Sequence, residues 1–182
     1  MKELSLNILD IAQNSIKAGA DTIKIELEES ETKLSIRITD NGCGMKPDFV
    51  KSVTDPFTTT RTTRKVGLGI PLFQLAAEQT GGALHIESRH ESEHPQDHGT
   101  VVTAVFDPSH LDFTPLGDIT STLTLLIQGS PNIHWVYTHT KNSGCVSLDT
   151  DELKEVLGDV PLDTFEVIAW IGEYVNEQYS VL

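Results

Sequence analysis

Hydrophobic residues in the first twenty positions recur with a helical period. Wound at about 100° per residue, Leu4, Ile8, Leu9, Ile11, Ala12 and Ile16 share one broad apolar side. Asn7, Asp10, Asn14 and Lys17 form a narrow polar stripe opposite it, spaced three and four apart so that their side chains stack one above another. A helix over Met1–Ala20 follows. The period then changes to alternation in "TIKIELEES" (22–30) and "KLSIRITDNG" (33–42), which predicts two strands joined at the Ser30-Glu31-Thr32 turn. Pro47 suits the first turn of a short helix through Val53. Residues 54–66, "TDPFTTTRTTRKV", carry six threonines, one proline and three cations with no hydrophobic period, and are expected to form a long loop of the functional or mobile kind. "GLGIPLFQLAAEQTGG" (67–82) reads as glycines, a helix with a tolerated early proline, and a Gly-Gly stop. "ALHIESRH" and "GTVVTAVF" are two further strands around the polar loop "ESEHPQDH".

The pattern shifts near Asp107-Pro108. "LGDITSTLTLLIQGS" is predicted helical, "NIHWVYTHT" and "CVSLDT" are predicted strands, and "DTDELKEVLG" opens with a helix cap at Asp149 or Thr150. Pro161 to Tyr179 forms a last amphipathic helix. The expected organisation is a domain over residues 1–109 and a small acidic α/β appendage over 110–182, with its own helices and hairpin and a partner-binding or structural role. No repeats or low-complexity tracts interrupt it.

Composition narrows the class. The chain has 182 residues, 38% hydrophobic and 22% charged, which fits a folded globular protein. No apolar run approaches the roughly 18 residues of a membrane span, and no secretion signal opens the chain. A cytoplasmic location is therefore expected, with Cys43 and Cys145 as free thiols. The net charge is −14: residues 1–109 hold 16 acids and 11 bases, and residues 110–182 hold 11 acids and only 2 bases. That balance argues against nucleic acid or an anionic membrane as partner and suits a basic protein partner for the C-terminal part.

Four features carry candidate chemistry. The stripe of the first helix is one; alone, it reads more readily as a solvated face with an Asp10–Asn14 hydrogen bond and loose ion pairing. "DNGCGM" (40–45) ends a strand in an acid. Gly42 and Gly44 let the backbone turn and a flat ligand approach, and the Asp40 carboxylate, an acceptor only, can read an exocyclic amine such as that of adenine. "GLG" (67–69) opening a helix is a candidate phosphate cradle. Thr100 begins a strand where its hydroxyl could reach a ligand or merely line the sheet.

In this order and spacing the four features resemble the GHKL superfamily of ATP-binding domains, which includes gyrase B, Hsp90, sensor histidine kinases and MutL. The resemblance spans roughly residues 4–107. "NSIKAGAD" is most similar to MutL, and "DPFTTTR…GLGIPLFQLAAEQTGGALHIES" to a histidine-kinase catalytic domain. It implies a two-layer α/β sandwich that binds ATP and Mg²⁺. Asn14 then matches the asparagine that ligates Mg²⁺, Lys17 neutralises phosphate, and Asp10 holds the place of a carboxylate general base. Asp40 matches the adenine-reading acid, with Gly42, Gly44 and Met45 beside it and Thr100 assisting through water. Phe57, Thr58, Thr59, Thr60 and Arg61 match the segment before the ATP lid, with Arg61 placed for the γ-phosphate. Gly67, Leu68, Gly69 and Ile70 match the phosphate-binding turn. Two positions depart from the pattern. Lys65-Val66 replaces a glycine of many kinases, implying a stiffer lid or a direct Lys65–phosphate contact. Asp10 is one methylene shorter than the glutamate of efficient ATPases, implying slow hydrolysis.

The resemblance implies a free-standing histidine-kinase-like ATPase or protein kinase acting in signal transduction on a separate partner protein, because no phosphoacceptor helix precedes the first helix. The alternatives are an ATP-dependent binding switch without phosphotransfer and a non-catalytic nucleotide-binding scaffold. His90, His94 and His98 are expected in a solvated loop. His134 and His139, on opposite faces of a strand, are expected to pack in the core or at an interface, as are Trp135 and Tyr137.

Overall fold

A computed structural model describes residues 2–54 and 68–182. Helix α1 (Leu4–Lys17) precedes the hairpin β1 (Thr22–Glu29) and β2 (Leu34–Asp40), which leads to α2 (Pro47–Thr54). Then come α3 (Gly69–Glu78), β3 (Ala83–Arg89), β4 (Gly99–Phe106), α4 (Ile119–Gly129), β5 (His134–Lys141), β6 (Gly144–Asp149), α5 (Thr150–Leu157) and α6 (Phe165–Ser180). The expected elements form within a few residues of their anticipated bounds, because hydrophobic period and turn chemistry agree in each. The segment 55–67, with the loop expected at 54–66 and the predicted Phe57, Thr58, Thr59, Thr60, Arg61, Lys65 and Gly67, lies outside the described residues, apart from Thr54 at the end of α2.

Among the described residues the strands make one six-stranded sheet in the order β3-β4-β2-β1-β5-β6. All neighbours are antiparallel except β1 and β5, which run parallel from Thr22↔His134 to Glu29↔Lys141. Ile23, Ile25 and Leu27 of β1, Ile36 and Ile38 of β2, Val102, Ala104 and Phe106 of β4, and Trp135 and Tyr137 of β5 bury their side chains on one face. Lys24, Glu28 and Arg37 point out from the other, the alternation of a sheet covered on one side only. Helices form the second layer over the apolar face, giving the two-layer α/β sandwich. The hairpin of the C-terminal region is β5–β6. It continues the sheet through β1, and one hydrophobic cluster runs from Leu4 to Val175 across both regions.

Helix α1 excludes the solvated-face reading of its polar stripe. Asn7 is 1% exposed, and Asp10 and Asn14 are half-buried; only Lys17 is exposed. The stripe is not a solvated face: Asp10 lies against Gly69 at the start of α3, and both α3 and α4 pack on α1. The cap of α1 is also non-local. Glu3 makes no side-chain cap; instead the Leu4 and Ser5 N–H groups donate to the carbonyls of Pro115 and Leu116, at 2.9 and 2.8 Å, satisfying two orphan donors of the first turn.

On the free edge of β6 one residue, Ser147, is capped by a side-chain amide. Gln178 of α6 accepts from the Ser147 N–H at 2.9 Å and donates to the Ser147 carbonyl at 3.0 Å. Beneath α6 the buried His139 bonds Tyr179 Oη (2.8 Å) through Nδ1 and Glu29 (2.9 Å) through Nε2, while Lys141 holds the other Glu29 oxygen at 3.0 Å. Trp135, Tyr137 and His139 are therefore core residues, as expected. Cys43 and Cys145 are free thiols.

Candidate functional site

At the C-terminal end of β2 the chain leaves the sheet through Asp40 and turns back sharply. Gly44 has φ +71°, and a methyl there would lie 1.9 Å from the Arg89 carbonyl oxygen, so only glycine fits. The loop is tied down from three sides. Cys43 N–H donates to Ala18 O (2.8 Å), Glu91 N–H donates to Cys43 O (2.8 Å), and Met45 N–H donates to Ser88 Oγ (2.7 Å). His98 Nδ1 adds a hydrogen bond to the Gly42 carbonyl. These bonds fix the place where Asp40 presents its carboxylate.

Asp40 Oδ1 accepts from the Gly42 N–H at 2.9 Å, and Oδ2 accepts from the Ser15 hydroxyl at 2.5 Å. Two donors hold the group without using all its lone pairs. In the sheet register Asp40 pairs with Thr100, and Thr100 with Ser88. The three therefore stand abreast on one face, with the Ser88 and Thr100 hydroxyl oxygens 2.8 Å apart. Ser15 lies on the buried side of α1. The sequence reading passed over Ser15 and Ser88. Their signals were a serine one residue after Asn14 among apolar neighbours, and a β3 serine in register with Thr100.

Above this row opens a cleft of about 480 Å³. Ile11, Asn14, Ser15, Lys17 and Ala18 of α1 and its C-terminal cap form one wall. Cys43, Gly44, Met45 and Lys46, then Phe49 and Val53 of α2, form another; Asp40, Thr100 and Val102 floor it, and Ile70 closes it from α3. The lining is mostly apolar with few polar groups, the composition of a small-molecule site. An acceptor-only carboxylate at the base of apolar walls suits a flat heteroaromatic ring bearing an N–H donor. The amide of Asn14 and the ammonium groups of Lys17 and Lys46 at the walls suit a hard cation and an anion.

The structure thus brings Asn14, Lys17, Asp40, Gly44, Met45, Ile70 and Thr100 to one cleft, with Gly42 bonded to Asp40 beside it. Asp10 does not line that cleft. It packs against the start of α3, where a methyl placed on Gly69 would lie 2.9 Å from Asp10 Cβ and 3.5 Å from its Oδ2. Leu68, at the helix start, projects into solvent. Among the described residues no group of histidines, cysteines and acids has the arrangement of a protein-only metal site, and no helix is long and apolar enough to cross a membrane.

Comparison with known proteins assigns the family. Residues 2–110 match the family described as histidine kinase-, DNA gyrase B-, and HSP90-like ATPase. The sensor histidine kinase ZraS of Salmonella typhimurium is 36% identical over 84 residues, 44% of this chain and 18% of the relative. The sensor protein SrrB of Staphylococcus aureus is 32% identical over 93 residues, 48% of this chain and 16% of the relative. The chain thus spans less than a fifth of the length of these relatives. Among solved structures, the Aquifex aeolicus MutL ATPase domain complexed with ADP superposes with a TM-score of 0.57 at 14% identity, over 86% of this chain and 69% of that one; this likeness is one of fold. The chain belongs to the histidine kinase-, DNA gyrase B-, and HSP90-like ATPase family.

Proposed function

We propose that this protein binds ATP with Mg²⁺ in the cleft below α1 and acts, as a kinase of the histidine-kinase-like type or a slow ATPase, on a separate partner protein in cytoplasmic signalling. The observation that carries the reading is the Asp40 carboxylate, held by Ser15 and the Gly42 N–H at the base of an apolar cleft. Asp40 would accept from the adenine amine, with Thr100 beside it and Met45 and Ile70 against the ring. Asn14 would ligate Mg²⁺, and Lys17 would offset phosphate charge. Asp10, near the start of α3, would orient the attacking group, and Gly69 would let the α3 N-terminus approach the phosphates. The bound nucleotide supplies the transferable phosphoryl group; the residues named here bind and orient it.

The test is calorimetric titration of ATP into the wild type and Asp40→Asn. The variant should lose measurable binding while keeping its circular dichroism spectrum; unchanged affinity in a folded variant would remove the reading. Asn14→Ala should lose the Mg²⁺-dependent part of the affinity, and Asp10→Asn should bind normally with reduced turnover. Transfer of labelled phosphate from ATP to a partner protein distinguishes a kinase from a binding switch, for which only ATP-dependent partner affinity is expected.

A further inference from the structure

Helix α6, which contributes nothing to the cleft beside α1, carries a second surface. On α6, Trp170 and Tyr174 sit one turn apart with rings stacked, centroids 5.1 Å apart and planes 11° from parallel. Trp170 is 48% exposed. Beside Tyr174 a groove of about 230 Å³ separates α6 from α5, with Glu152 and Leu153 on its α5 wall. A stacked aromatic pair open to water at the rim of a groove is not a core feature, and exposed apolar surface rimmed by charge marks contact sites.

The charge around the pair says what fits it. Glu166, Glu173 and Glu177 are exposed along the outer side of α6. The only two bases beyond residue 109, Lys141 and Lys154, are engaged by Glu29 and Asp151. No lysine or arginine of the C-terminal region therefore remains to offset those acids. A second copy of a chain with net charge −14 would be repelled, as would nucleic acid or an anionic lipid surface. The complement is a cation with a flat face. Guanidinium is planar, weakly hydrated and able to stack on an aromatic ring while donating to carboxylates; ammonium is a compact, strongly hydrated charge.

We propose that the α5–α6 face docks a basic segment of a partner protein, with an arginine guanidinium stacked on the Trp170–Tyr174 pair and flanked by Glu152 and Glu173. The proposal does not depend on the nucleotide reading, so its test is run without ATP. A short fluorescein-labelled peptide of arginine, leucine and alanine is titrated against the full chain by anisotropy. Its lysine-for-arginine and glutamate-for-arginine counterparts are run alongside. The arginine peptide should bind saturably, more tightly than the lysine peptide, and the glutamate peptide should not bind. Trp170→Ala should weaken binding roughly tenfold, the size of a partly desolvated cation–π contact. Glu173→Lys should also weaken it and flatten its salt dependence. Glu87→Lys, on the exposed far edge of the sheet, should bind like the wild type.

Several outcomes would overturn the proposal. One is the absence of saturable binding. Another is wild-type affinity in folded Trp170→Ala. Equal losses in Glu173→Lys and Glu87→Lys would mean that net charge alone attracts the peptide. A concentration-dependent dimer in sedimentation, abolished by Trp170→Ala, would assign the face to a second copy instead.

Discussion

Ser15 shows how much one hydroxyl can decide. It lies on the buried side of α1 beside Ile11 and Ala12, and its Oγ reaches the Asp40 carboxylate. Hydrogen bonds to a charged group contribute about 1.5–3 kcal/mol. Ser15→Ala is therefore expected to leave Asp40 less well oriented and to weaken ATP binding by about tenfold or more, read by the same calorimetry as Asp40→Asn. His139 is the other residue whose surroundings fix its behaviour. The neutral ring with its proton on Nε2 donates to Glu29 and accepts from Tyr179. Burial pulls its pKa below the ordinary 6.5, against the opposing pull of Glu29. The same burial pushes the Tyr179 hydroxyl up to about 12, so Tyr179 stays a donor throughout the accessible range. On acidification the unfolded chain takes up the His139 proton first. The stability from keeping this ring neutral is thus fully present above about pH 6.5 and is lost as pH falls from there to the lower folded value. Thermal melts should show a declining midpoint between about pH 7.5 and 5.5. His139→Gln, less stable at the upper end, should decline less steeply; parallel curves would place the pH dependence elsewhere.

At the scale of elements, periodicity and position separate what the chain discloses from what it hides. Strands such as β1 and β4 and the ends of α5 were legible because local chemistry suffices for them. Asp149 caps α5 by accepting from the Asp151 and Glu152 N–H groups at 2.9 and 3.4 Å and also holds His134 Nε2 at 2.8 Å. Burial opposes its charge, but those hydrogen bonds outweigh it and hold the carboxyl below its ordinary value. Asp149→Ala should cost about 1 kcal/mol, the usual worth of an N-cap, as a lower urea midpoint with an unchanged slope. The surroundings of the α1 stripe were hidden because a helical wheel locates polar residues but not the neighbour they face. Only the fold shows that Asn7 is buried and that Asp10 lies against Gly69 of α3. The α1 cap was hidden because its acceptors, Pro115 and Leu116, lie more than a hundred residues away. The candidate site divides in the same way. Asp40, Gly44 and Thr100 carried local signatures, whereas Ser15 and Ser88 became meaningful only when α1 and β3 were laid beside β2 and β4.

Taken whole, the molecule is organised by the parallel pairing of β1 with β5, which no alternation pattern specifies. Through it, Trp135 and Tyr137 extend the core laid down by Ile23 and Ile25. A chain ending at residue 109 would lose the whole β5 ladder beside β1, the acceptors for the first turn of α1, and the packing of α4 against α1. Residues 1–109 alone should therefore elute as aggregate, with a non-cooperative melt; a monomer with a sharp transition would contradict this. At the other end of the sheet, the paired hydrogen bonds between Gln178 and Ser147 have a consequence for the population of molecules. Unprotected edges invite strand addition, and repeated strand addition is a polymerisation. A side-chain amide offers one acceptor and one donor, the same pair a neighbouring peptide group would bring, and then presents no further strand to copy. Gln178 is thus a chain terminator for this edge: by occupying the Ser147 position with a group that cannot propagate, it hinders growth past β6, while β3 remains the open end.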